Sequence, residues 1–210
     1  LRTPVQPILG IVETLGVYPP KLEDGQGEVS VNREDLQMIG RNADRLVRLS
    51  SDILDVSRIE SDQLRITPAK FDLNKLVREA VDNAKKQLDI GNIEITTESS
   101  AESIELVADR QRIMQVISNL LNNAIRFTTP AGTVTIITER QKNFVRLAVK
   151  DSGTGIAEDI MPRLFTRFAS SMHLDSGTGL GLYICRAIVE AHDGKIEGGN
   201  NGDGKGALFT

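Results

Sequence analysis

Between Leu36 and Ile59 the apolar residues Leu36, Ile39, Ala43, Leu46, Leu49, Ile53, Val56 and Ile59 advance in steps of three and four. That spacing gathers them on one face of a helix and leaves the charged residues to the other faces. One helix cannot hide so long a stripe. A partner is available upstream, where Val5, Ile8, Leu9, Ile11, Val12 and Leu15 recur at helical spacing; Pro4 and Pro7 bend or restart its first turns, and Gly16 offers an end. The prolines, glycines and charges of residues 19–27 read as the connecting loop. Asn32 can cap the second helix, with Asp35 three residues on. The result is a helical hairpin with apolar surface left over, which two copies would cover economically as a four-helix bundle with two-fold symmetry.

Beyond Pro68 the pattern changes to mixed α and β. Residues 73–88 read as a helix, 93–97 and 104–108 as short strands, and Asp109 as the cap of a long helix running to about Phe127. Residues 133–138 and 144–149 read as a β-hairpin, and the polar, glycine-containing stretch 152–179 holds one short helix at 160–168. A helix over 180–191 stops at Gly194, and a final hairpin follows. The 210 residues, 40% hydrophobic and 26% charged, suit one domain plus a helical appendage and exclude wholesale disorder. No apolar run nears the ~20 residues that span a bilayer, so membrane attachment is expected only through missing parts of a parent protein. The net charge of −4 leaves no overall basic footprint for nucleic acid. Cys185, the single cysteine, has no internal disulfide partner, and a reducing, cytoplasmic setting is expected. The sequence opens on Leu1 without a signal-like leader and reads as a fragment of something longer.

Three segments carry the residue types that ligand chemistry needs. On the helix after Asp109, Ile113, Val116, Ile117, Leu120 and Ala124 form an apolar face, and beside it Asn119, Asn123 and Arg126 form a stripe at i, i+4 and i+7. A neutral asparagine carbonyl suits Mg²⁺ whose charge a nucleotide already balances; the same amides would serve equally well to bridge neighbouring elements. Asp151-Ser152-Gly153-Thr154-Gly155-Ile156 follows directly on an expected strand. Its glycines admit a ligand close to the backbone and its aspartate can accept from an exocyclic amine, although Asp-Ser-Gly is also ordinary turn chemistry. Gly177-Thr178-Gly179-Leu180-Gly181-Leu182 opens a helix, so flexible N–H groups and a positive helix end converge on an anion site. A ligand-free glycine hinge is the plain alternative. The spacing matches neither the Rossmann fingerprint nor the P-loop, and Gly204-Lys205-Gly206 reads as turn glycines between strands.

Taken in this order, the segments resemble the catalytic part of sensor histidine kinases, whose ATP-binding domain belongs to the superfamily of the Hsp90, MutL and DNA gyrase ATPases. Residues 119–127 resemble the family's N box, 151–156 its G1 box, 164–168 its F box, 177–182 its G2 box and 204–209 a G3-like end. The resemblance implies an α+β protein: a helical hairpin over 1–66, half of a dimeric four-helix bundle, then a two-layer α/β sandwich with a mixed sheet over 67–210. It implies ATP and Mg²⁺ as ligands, with Asn123 and Asn119 on the metal, Arg126 near the phosphates as a catalytic candidate, Phe127 beside the nucleotide, and Asp151 on the adenine amine. Gly153 and Gly155 would shape the base pocket. Gly177, Thr178, Gly179, Leu180 and Gly181 would belong to the phosphate side of a mobile lid.

Homodimerisation through the hairpin and a response-regulator receiver domain as partner follow from the same resemblance. Leu1-Arg2-Thr3-Pro4 resembles the segment after the family's phosphoacceptor histidine, which is expected just upstream with its acidic neighbour. Thr3 falls where the family aligns water for dephosphorylating the partner; a buried threonine bonded to its own helix is the competing reading. Ser170 occupies a place where many relatives have a basic residue, so Arg167 or Arg126 would take over the γ-phosphate contact. Phe165 and Phe168 either anchor the lid or pack in the core. His173 and His192 are expected in ordinary polar roles, and Cys185 as a small apolar residue inside its helix. The implied activity is that of a protein-histidine kinase passing phosphate to a response-regulator aspartate. Its rivals are an ATPase clamp of the wider superfamily and a non-enzymatic dimerisation module with a decayed pocket.

Overall fold

The computed structural model describes residues 2–14, 31–87, 92–169, 178–202 and 205–210. They divide into two compact units, Leu1–Ser57 and Arg58–Thr210. Gly16, the loop expected at 19–27, Ser170, His173, Gly177 and Gly204 lie outside the described residues.

The first unit holds helix α1 (Arg2–Thr14) and most of α2 (Arg33–Glu60). α1 runs on through Pro7, so the proline removes one backbone donor without ending the helix. Asn32 caps α2, its Oδ1 accepting from the Asp35 N–H at 2.8 Å, and Glu34 and Asp35 lie in the first turn, where negative charge is favourable. The one buried residue of α2 is Asp55. Every member of the apolar stripe is half-buried or exposed, Leu36 to 57% and Ile53 to 44%.

The second unit opens with β1 (Ala69–Asp72), a strand whose side chains are exposed or half-buried and show no apolar alternation that the sequence could have announced. It pairs antiparallel with β3 (Glu105–Ala108) in a two-stranded sheet of its own. Helix α3 (Leu73–Gln87) starts where Asp72 Oδ1 accepts from the N–H groups of Asn74 and Lys75. Strand β2 (Glu94–Ser99), helix α4 (Arg110–Phe127), strands β4 (Thr133–Arg140) and β5 (Val145–Asp151), helix α5 (Gly181–Ala191), and strands β6 (Gly198–Asn200) and β7 (Ala207–Phe209) complete the unit. The main sheet has the order β2-β4-β5-β7-β6; β2 and β4 run parallel and every other pair antiparallel. The sheet is therefore mixed, as expected.

β4 buries Val134, Ile136 and Thr138 and exposes or half-buries the residues between them, the period of a strand with one covered face. α4 packs on α3, α5 and β5 and buries Val116, Ile117, Leu120, Leu121, Ala124 and Ile125. At about 1.5–3 kcal/mol for each large apolar side chain, that face anchors the helix firmly. The short helix expected over 160–168 is corrected to a single 3-10 turn, Met161–Arg163, with a proline in its first turn. Pro162 removes a donor there, and the chain leaves helical space altogether at Phe168, whose φ is +58°.

Candidate functional site

α4 carries the amide stripe and is fixed at both ends. At its start Asp109 Oδ1 accepts from the Gln111 and Arg112 N–H groups at 3.0 and 3.1 Å, and Oδ2 from the Thr67 N–H at 2.8 Å. Burial opposes the charge on Asp109, but these three donors and the Arg112 guanidinium outweigh it and hold the carboxyl below its usual range. The Asp109 N–H donates to His192 Nε2 at 3.0 Å, and His192 Nδ1 lies 2.8 Å from the Ile188 carbonyl. This pattern requires a neutral ring with the proton on Nδ1. His192 thus ties the start of α4 to the end of α5, a polar structural role as expected. Cys185 is fully buried in α5, also as expected.

Farther along α4, Asn119 Nδ2 donates to the Gly181 carbonyl at 3.4 Å, joining α4 to the first residue of α5. Arg126 Nη2 donates to Asn123 Oδ1 at 3.2 Å, and its guanidinium carbon lies 4.4 Å from the Phe127 ring centroid. A cation held over an aromatic face is oriented as well as stabilised.

Asn123, Arg126 and Phe127 line a cavity of about 360 Å³ together with Asp151, Gly155 and Gly179. Ile156, Ile160, Leu164, Leu182 and Phe209 give it apolar walls. Segments that lie apart in the sequence therefore converge. Asn119, Gly153, Thr178, Leu180 and Gly181 do not line it; Thr178 Oγ1 accepts from the Leu180 N–H at 3.2 Å, and Leu180 occupies the N-cap position of α5 without a side-chain cap. The first-turn N–H groups of α5 therefore have no side-chain oxygen from the cap, the condition under which a helix end attracts an anion. Thr3 lies in α1, in the other unit.

Asp151 is 4% exposed, at the end of β5. Its Oδ1 accepts from the Gly153 N–H at 2.9 Å and the Ala207 N–H at 3.1 Å. Among the described residues these two N–H groups fix Oδ1, and Asp151 lines the cavity. The backbone around it is close-packed: a Cβ on Gly153 would stand 2.2 Å from the Phe127 carbonyl oxygen, and one on Gly206, whose φ is +77°, would stand 1.9 Å from that of Asp151. Only glycine fits at either position.

Asn200 and Asn201, which the sequence reading passes over, and Gly206, which it reads as a turn glycine, complete the arrangement. Asn200 accepts from the Ile156 N–H at 2.6 Å and donates to the Ile156 carbonyl at 2.9 Å. Asn201 Nδ2 donates to the carbonyls of Asp151 and Lys205 at 2.8 and 2.7 Å. Gly206, read as an ordinary turn glycine, is the close approach just described. Arg167 does not line the cavity; it pairs with Glu60 and lies 5.9 Å from the Tyr183 ring centroid. Phe165 meets Phe209 edge-on at 6.5 Å, while Phe168 is 69% exposed. Among the described residues no group of three His, Cys, Asp or Glu side chains could hold a metal ion, and no helix is long and apolar enough to cross a membrane.

Residues 108–210 match the family described as histidine kinase-, DNA gyrase B- and HSP90-like ATPase, and residues 1–62 match the His Kinase A (phospho-acceptor) domain. The chain is 36% identical over 184 residues to the adaptive-response sensory kinase SasA of Prochlorococcus marinus, which covers 85% of this chain and 49% of SasA. It spans about half the length of that curated relative or less of others. Among solved structures, the catalytic domain of histidine kinase ThkA is 36% identical with a TM-score of 0.61, over 68% of this chain and 92% of that one. ThkA in complex with the response regulator protein TrrA gives 29% identity and a TM-score of 0.67, over 99% and 56%. Full-length ShkA in complex with AMPPNP gives 27% identity and a TM-score of 0.73, over 99% and 42%. With a phospho-acceptor domain match ahead of an ATPase domain match, and a cavity in the latter that joins Asn123 to Asp151 and Gly179, this chain belongs to the sensor histidine kinases.

Proposed function

We propose that this chain is the ATP-dependent catalytic core of a two-component protein-histidine kinase, with a dimerising hairpin over 1–66 and the ATP-binding domain over 67–210. The observation that carries the reading is the single cavity in which Asn123 and Arg126 of α4 meet Asp151 and Gly179. Asp151 accepts the adenine amine through Oδ2, and the apolar walls exclude water from the ring. Gly155, Gly153 and Phe127 shape the base pocket. Thr178, Gly179, Leu180 and Gly181 offer backbone donors to the phosphates at the start of α5, and Gly177, outside the described residues, is assigned to the same group by the resemblance alone. Arg126, oriented by Phe127 and Asn123, reaches for the γ-phosphate, and Arg167 does not.

The donor set fits Mg²⁺ better than a metal needing several anionic ligands, since Asn123 and Asn119 offer hard neutral oxygens and the phosphates would supply the rest. When bound with the nucleotide, the ion offsets the charge of the transferring phosphoryl group. What the chain itself does is bind, orient and compensate charge, which is most of what phosphoryl transfer asks of a protein. The proposed acceptor is the histidine that, in the family, immediately precedes with its acidic neighbour the segment that Leu1-Arg2-Thr3-Pro4 resembles. A response-regulator receiver domain then takes the phosphoryl group, in line with the complex known for ThkA, and Thr3 orients water for the reverse, phosphatase reaction. Two copies associate through α2, whose apolar stripe is partly exposed among the described residues.

Isothermal titration with ATP, with and without Mg²⁺, tests the reading. Tight binding that requires Mg²⁺ and that Asn123→Ala lowers at least tenfold is expected. A folded chain that takes up no nucleotide overturns it.

A further inference from the structure

We propose that Asn201 is a positioning residue for the Asp151 carboxylate, and that it sets how strongly the site prefers adenine to guanine. The inference rests on the nucleotide reading above, in which Asp151 receives an exocyclic amine. Asn201 is 8% exposed and does not line the cavity, so it acts through what it holds. Its Nδ2 donates to the Asp151 and Lys205 carbonyls at 2.8 and 2.7 Å, and its own N–H donates to the Gly206 carbonyl at 3.0 Å. These bonds fasten the end of β5 to the segment that enters β7. The same two segments supply the N–H groups that fix Asp151 Oδ1, from Gly153 at 2.9 Å and Ala207 at 3.1 Å.

The chemistry follows from direction. A carboxylate oxygen welcomes the amine at position 6 of adenine and repels the carbonyl oxygen that guanine carries there. That preference is as sharp as the oxygen is fixed, because hydrogen bonds weaken steeply with misalignment. Through its Nδ2, Asn201 bonds both to the last residue of β5 and to Lys205, two residues ahead of β7. Its neighbour Asn200 does a related job, clamping both backbone groups of Ile156, a wall of the same cavity.

The 210-residue chain and the variants Asn201→Ala, Asn201→Ser, Asp151→Asn and Asn201→Ala/Asp151→Asn are titrated with Mg-ATP and Mg-GTP, with circular dichroism melts confirming that each is folded. Asn201→Ala is expected to lower the ATP-to-GTP affinity ratio about tenfold, and Asn201→Ser, which keeps one donor, to lower it less. The double variant is expected to have the ratio of Asp151→Asn alone, since the two residues act as one unit. A residue that merely supports the fold would weaken both nucleotides alike and leave the ratio intact, and that result overturns the proposal. Should Asn201→Ala fail to fold, Asn201→Ser carries the same comparison. A chain that binds ATP but whose ratio survives Asp151→Asn would overturn the amine assignment and this inference with it; a chain that binds neither nucleotide would overturn the whole kinase reading.

Discussion

At the scale of single residues, the tightest constraint is the contact between Gly206 and Asp151. A methyl group on Gly206 would have to occupy the space of the Asp151 carbonyl, and its backbone would sit in the left-handed region as well. Gly206→Ala is therefore expected to cost at least about 2 kcal/mol of stability in urea denaturation and to weaken nucleotide binding in parallel. An unchanged midpoint would mean that the junction yields easily. The two arginines considered for the proposed γ-phosphate contact separate by their surroundings. Arg126→Ala is expected to lower ATP affinity about tenfold, whereas Arg167→Ala, which loses a half-exposed ion pair with Glu60, is expected to change stability by less than about 1 kcal/mol and to leave affinity alone; paired titrations check both. Much of this scale was legible in the sequence where the chemistry is local. Asn32 and Asp109 cap helices within three residues of themselves, and the amides of α4 lie one and two turns apart. Asn201 was not legible, because its partner Asp151 lies 50 positions away and Asn-Asn-Gly reads as a turn whatever it holds.

At the scale of elements, α4 depends on its N-cap more than an ordinary helix does, since Asp109 also receives the Thr67 N–H and passes its own N–H to His192. Asp109→Ala is expected to cost about 1–2 kcal/mol at neutral pH. The sign of the pH effect is fixed by the direction of the shift. Because the folded carboxyl titrates below its ordinary value of 3.8, its stabilisation is complete above that value and is lost as pH falls through the folded pKa. Denaturation midpoints measured from pH 6 downward are expected to fall less steeply below about pH 4 in Asp109→Asn than in the unmodified chain. Equal slopes would assign the acid sensitivity elsewhere, first to Asp72, which is shifted the same way: burial opposes its charge, but the Ser103 hydroxyl and the N–H groups of Lys75, Asn74 and Ile104 outweigh it. Elements with a clear apolar period, α2, α4 and the β4–β5 hairpin, were readable in advance. β1 was not, because half of its side chains face solvent, and the helix expected over 160–168 shrinks to the turn Met161–Arg163 because Pro162 removes a donor and the backbone turns left-handed at Phe168.

At the scale of the whole molecule, the stripe on α2 stays partly exposed among the described residues, Leu36 to 57% and Ile53 to 44%. Sedimentation is expected to report a dimer whose dissociation rises on dilution. Leu46→Glu/Ile53→Glu is expected to give a monomer that still binds nucleotide, because the cavity is lined wholly by the second unit. A monomeric unmodified chain would contradict the bundle. This level was the most readable of all in outline, since the change of period near Pro68 separates a helical part from a mixed one, and the least readable in detail, since strand order depends on pairings between distant segments.

That strand order bears on how the pocket is completed. β7 lies between β5 and β6 in space although it follows both in sequence, and Ala207 holds the carboxylate at the heart of the pocket. Within this domain, then, the cavity is complete only once the segment around Gly206 has joined the sheet, and a chain cut just ahead of it would keep its helices but lack one of the N–H groups that hold Asp151.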